Sequence, residues 1–201
     1  MQTKFFVLVV VLFVCIGGGY LVGQSQDASQ SGGSNVPLMT APGLYHKQLD
    51  NFEGSWVFTG QVWSAKARQY EPIEGTIEYQ WVLGRRFMQG MFAGRVNKSA
   101  LEGLHYLGYD NFRQVYISNW MSNLATSFWT SMGSFDRAAG SLILRGLYDD
   151  LIQSKRDVPF SSVTSIQGGI MTLEMKLATE DGTQPKTLLS FTATRKEPLS
   201  P

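Results

Sequence analysis

At 201 residues, with 43% hydrophobic and 12% aromatic side chains, the chain can fill the core of one sizeable domain and is not a disordered polymer. Its formal net charge of +1 comes with no basic stripe, so nucleic acid is not an expected partner. The only cysteine is Cys15, which rules out an intrachain disulfide, a cysteine-based zinc site and a cysteine nucleophile in the folded part.

Residues 5–23 form one apolar run behind Lys4. Its length approaches the roughly 20 residues of a membrane-spanning helix, while Gly17, Gly19 and Gly23 offer small residues near a cleavage point. Residues 1–23 therefore read as a signal peptide or a signal-anchor helix. In either case the rest of the chain is exported, to the periplasm or the outer side of the cytoplasmic membrane. An uncleaved segment would make the membrane a partner. Val14 before Cys15 argues against lipidation, which needs a small residue there. Residues 24–42, rich in Gln, Ser and Gly, bury too little to offset their ordering entropy and read as a linker. The folded domain is expected over residues 43–197.

Leu44 or Tyr45, Leu49 and Phe52 share a helical face, which predicts a short helix. From Gly54 the period changes to two. Trp56, Phe58 and Val62 alternate with polar residues, as do Ile77, Tyr79, Trp81 and Leu83. Met171, Leu173, Met175 and Leu177 repeat the pattern, and Leu189, Phe191 and Ala193 close it. Turn signals separate these runs at residues 83–85, 109–111, 135–140, 167–169 and 180–182. About ten strands with tight turns predict an all-β, antiparallel up-and-down barrel, with a two-sheet sandwich as the alternative.

Catalytic signatures are sparse: there is no Gly-x-Ser-x-Gly elbow, P-loop or His-Glu-x-x-His. His46 and Asp50 lie four apart on the predicted helix and read as a surface or end-capping contact before a metal pair. No metal and no cofactor is expected. His105 reads first as a buried, hydrogen-bonded histidine, with haem ligation as an alternative if it faces the lumen. Tyr79, Trp81, Tyr116, Trp120 and Trp129 recur at alternating positions. They fill a small barrel's core or line a lumen that binds a small apolar or amphipathic ligand. Arg145 and Arg156, if inward, would pair with a ligand carboxylate or phosphate; otherwise they face solvent or nearby Asp149, Asp150 and Asp157. A binding module ranks first. A structural or protein-interaction domain ranks second, with Phe92, Met132 and Trp63 as candidate outer-face patch residues. An enzyme ranks third, with Asp110, Asp136 and His105 as its candidates.

Gly54-Ser-Trp56 directly after a short helix resembles the Gly-x-Trp opening of lipocalin-like (calycin) barrels. That resemblance implies that Trp56 plugs one end, with an arginine of the last strand across it; Arg195, in phase with Phe191 and Ala193, matches. A longer ordered set includes the segments 46–56, 81–87, 108–110, 116–120, 133–136 and 191–196. It resembles the bacterial domain-of-unknown-function family 1579, placed among the calycin-like barrels. The resemblance spans residues 46 to 196 and implies a fold and a bacterial, often exported, setting, with no established activity. The chain departs from the family pattern at Met121-Ser-Asn123, where an acidic residue is usual, and at Ser99-Ala-Leu-Glu-Gly103, which replaces a Pro-Phe-x-Gly turn.

Overall fold

The computed structural model describes residues 39–178 and 186–196. The expected leader or anchor and residues 24–38 of the expected linker lie outside them. One turn of α-helix, α1 (Leu44–Lys47), runs into a 3-10 turn (Gln48–Phe52). Ten strands follow: β1 (Gly54–Ser64), β2 (Gln69–Val82), β3 (Phe87–Val96), β4 (Ser99–Asp110) and β5 (Val115–Ser122) make the first half. The second half is β6 (Trp129–Asp136), β7 (Ser141–Asp150), β8 (Lys155–Gln167), β9 (Ile170–Leu177) and β10 (Lys186–Arg195). Each strand pairs antiparallel with its sequence neighbours, and β1 pairs with β10 to close the ring. The barrel is realised and the sandwich is not. Closure removes every unpaired edge, which a ten-strand meander would otherwise expose.

Local chemistry fixes the hairpins. At three of them an aspartate opens the turn and a residue four positions later takes positive φ. Asp110, Asp136 and Asp150 each accept two backbone N–H bonds on one carboxylate oxygen, from residues two and three positions on. Gln114 (φ 56°), Gly140 (φ 63°) and Ser154 (φ 55°) then reverse the chain. Such Asx geometry satisfies turn amides that no ladder reaches. Asp110 and Asp136 are therefore turn-builders at the barrel rims, which corrects their standing as lumen acids. Leu83, read as the end of a strand, sits in the β2–β3 turn at φ 51° and is exposed.

The alternation places one residue of every two inside. On β3, whose faces the sequence left ambiguous, Met88, Gly90 and Phe92 point inward. Phe92 packs against Phe58 (6.0 Å), Tyr79 (6.1 Å) and Trp120 (4.8 Å), so it belongs to the lumen and not to an outer patch. Trp63 is covered by the Tyr70 ring (5.3 Å) and the Lys186 ammonium. Met132 does lie exposed on the outer face.

The helical turn lies across one end of the barrel. Leu49 and Trp56 are fully buried there, and Phe52 nearly so. The Trp56 indole N–H donates to the Phe52 carbonyl (2.8 Å). The Arg195 guanidinium stacks on the Trp56 ring at 4.3 Å and donates to the carbonyls of Glu53 and Asn51 (the latter at 2.8 Å). Trp56 pairs with Arg195 in the β1–β10 register, so one contact seals both the end and the seam. Arg86 and Asn111, in the turns at this end, donate to the Thr40 (3.1 Å) and Ala41 (2.8 Å) carbonyls, tying down the chain just before the helix.

Candidate functional site

The middle of the barrel is not filled. An inner chamber of about 110 Å³ is walled by Tyr79, His105, Leu107, Leu144, Met171 and other inward side chains. An outer chamber of about 260 Å³ continues toward the opposite end, where Leu124 and Ala125 of the β5–β6 loop and Leu151 of the β7–β8 turn line it. The two share Phe92, Trp120, Trp129, Leu189 and Phe191, which form a waist between them. The open rim carries exposed Leu124, Phe128, Leu151 and Ile152. Glycines make room for the rings. A Cβ on Gly90 would lie 2.4 Å from the Tyr79 ring, and one on Gly103 would lie 2.3 Å from the Trp120 ring.

Three of the seven expected lumen residues, Tyr79, Trp120 and Trp129, line the chambers. Two pack instead against the helical turn. Tyr116 sets its hydroxyl against the Tyr45 carbonyl (3.0 Å) and the Gln48 side-chain oxygen. Trp81 donates its indole N–H to Asp50 (3.0 Å) and lies under the Arg85 guanidinium. Arg145 and Arg156 are exposed. Arg145 falls between inward Leu144 and Gly146, so the pleat sends it outside; Arg156 lies beside the turn at the open rim. The residues lining the two chambers include no lysine or arginine, so of the two placements weighed for Arg145 and Arg156 the outward one is realised. Asp50 bonds Arg85 at 2.6 Å, and His46 is buried with its Nδ1 accepting the Gly43 N–H, so the two form no pair. Among the described residues no group of three His, Cys, Asp or Glu side chains gathers as a metal site.

The sequence reading missed a hydroxyl-bearing sector of the lumen wall: Ser118 on β5, Ser131 on β6, and Ser162 and Thr164 on β8, all buried and all lining the inner chamber. Their signal was present, since Tyr116-x-Ser118-x-Trp120 and Trp129-x-Ser131 place small polar residues in the inward phase between aromatics. Ser118 accompanies His105 in a relay. The Tyr79 hydroxyl lies 2.7 Å from His105 Nδ1, and His105 Nε2 lies 2.8 Å from Ser118 Oγ. Burial pushes the His105 pKa down to about 4, so the ring is neutral at physiological pH. Burial also pushes the Tyr79 phenol up, so it keeps its proton. A buried phenol must donate, and Nδ1 is the acceptor it meets; Nε2–H then donates to Ser118. With its oxygen thus accepting, Ser118 is left with its own O–H to donate into the chamber. Both His105 nitrogens are occupied in this arrangement, so an iron ligand here would have to break the relay.

A closed antiparallel barrel, plugged at one end and hollow behind the plug, defines a lipocalin-like barrel protein. Solved structures share the fold. Rv2717c from M. tuberculosis matches with a TM-score of 0.59 at 12% identity, over 78% of this chain and 100% of that one. The S-type phycobiliprotein lyase CPES from Guillardia theta matches with a TM-score of 0.51 at 11% identity, over 78% of this chain and 99% of that one. Within that class the chain belongs to the family described as "Protein of unknown function (DUF1579)", whose model matches residues 41–195. Comparison with curated protein sequences finds no match.

Proposed function

We propose that this protein is an exported binding module that holds a small apolar or amphipathic molecule in its lumen. The carrying observation is the pair of adjoining apolar chambers that share an aromatic waist, the outer one beside a rim of exposed apolar side chains. Each chamber is smaller than a typical ligand pocket of roughly 300–1,000 Å³, and only the two together reach the lower end of that range, which suits a slender molecule that spans both. A core serving only stability would be packed to crystal-like density. The resemblance to a phycobiliprotein lyase, at 11% identity, supports the fold alone and lends no substrate. Export rests on the apolar run of residues 5–23.

Native mass spectrometry of the full chain, purified from its own host and then exposed to a host lipid extract, tests the binding. A discrete added mass, released on denaturation, is the expected result. A bare mass at saturating extract overturns the reading.

A further inference from the structure

We infer that the inner chamber takes the uncharged carbonyl head of an amphipathic ligand, received by the Ser118 and Ser131 hydroxyls, with its apolar tail leading outward through the waist. This rests on the binding reading above and names the ligand class and its orientation.

The placement follows from the ladder. Ser118 and Ser131 are direct partners across β5 and β6, and both face inward. Opposed Cβ atoms on neighbouring strands lie about 4.5–5.5 Å apart, a spacing from which two hydroxyls can converge on one carbonyl oxygen and use both its lone pairs. The Tyr79–His105 relay holds Ser118 as a donor toward the chamber. Ser131 is more than nine-tenths buried, and its side chain lines the chamber, as do those of Ser162 and Thr164. Buried hydroxyls are normally satisfied, so a row of them facing a cavity marks where a polar group of a guest belongs.

Charge selects among head groups. A carboxylate or ammonium buried without a partner is costly. Neither chamber offers a lysine or arginine, and the histidine bonded to Ser118 is neutral. The acidic side chain among the lining residues is Asp149, in the outer chamber near the open end. A ketone, aldehyde, ester or amide oxygen meets donors and carries no charge. The tail then lies among Phe92, Trp120 and Phe191, and the head goes in first.

The test uses the full chain and four probes of equal length: 2-decanone, decane, decanoate and decylamine. Binding at pH 7.5 is followed by the fluorescence of Trp120 and Trp129 and, for carbonyl-labelled 2-decanone, by its infrared stretch. The ketone should bind about tenfold tighter than the other three, with its stretch shifted to lower frequency. Ser131→Ala and Ser118→Ala should each remove most of that preference and the shift, while leaving decane affinity unchanged. If Ser118→Ala loses the barrel's circular-dichroism signature, Ser131→Ala decides alone. Equal affinity for ketone and decane overturns the head-group assignment and leaves the binding module standing. Tighter decanoate or decylamine overturns it as well. Failure of all four to bind overturns both the assignment and the reading beneath it.

Discussion

The plugged end and the hollow middle are built by opposite rules. At the plug, the Trp56 N–H, the Arg195 guanidinium and the Tyr116 hydroxyl all reach carbonyl oxygens, around fully buried Leu49 and Trp56. Directly behind it, Ser131, Ser162 and Thr164 line an open chamber. The plug is what a stable barrel needs. The hollow is a departure from it, and such departures belong where function is carried.

Four variants test that contrast. Trp56→Ala should cost the most, about 3–5 kcal/mol, because it empties the plug and strands the Arg195 contact; urea denaturation measures it. The next largest effect is a pH dependence carried by His105. Its pKa is 6.5 unfolded and about 4 folded, so between those values the unfolded chain takes a proton that the folded one refuses. Stability from this group is complete above pH 6.5 and is lost as pH falls to 4, on the order of 3 kcal/mol in all. The His105→Gln variant should lose that slope relative to the parent in denaturation curves at pH 7 and pH 4.5. Arg195→Ala should cost about 1–2 kcal/mol, from two carbonyl contacts and one ring contact at a partly solvated site. Ser131→Ala should change stability least, within about 1 kcal/mol, since it removes one hydroxyl from the wall of an open chamber and no core volume. A thermal melt showing clear destabilisation by Ser131→Ala would erase the distinction between plug and hollow.

Much of the barrel was legible because its signals are local. Alternation along Trp56–Val62 and Met171–Leu177 gave faces, and Asp110 and Asp136 with their followers gave turns. The Trp56–Arg195 stack was legible through a family likeness, which carried a contact between the first strand and the last. The lumen was harder. Arg145 was weighed as a possible lumen cation by residue type, although it alternates with Leu144 and Gly146 and so faces out. Phe92 was ambiguous because Phe87–Val96 mixes glycines and apolar residues on both faces. Tyr116 and Trp81 were assigned to a pocket because nothing local says how far along the barrel the helical turn reaches. The serines escaped because a buried serine differs from an exposed one only in phase.

The seam between β1 and β10 has a kinetic meaning. Every other ladder joins consecutive strands, whereas this one joins residues as far apart as Trp56 and Arg195. Closing so long a loop forfeits the most chain entropy, so the nine hairpin ladders can gather before it does. The Trp56–Arg195 contact would then be a late latch. Removing either side chain should hasten unfolding while leaving the refolding rate nearly unchanged, a split that stopped-flow chevrons on Trp56→Ala and Arg195→Ala resolve directly.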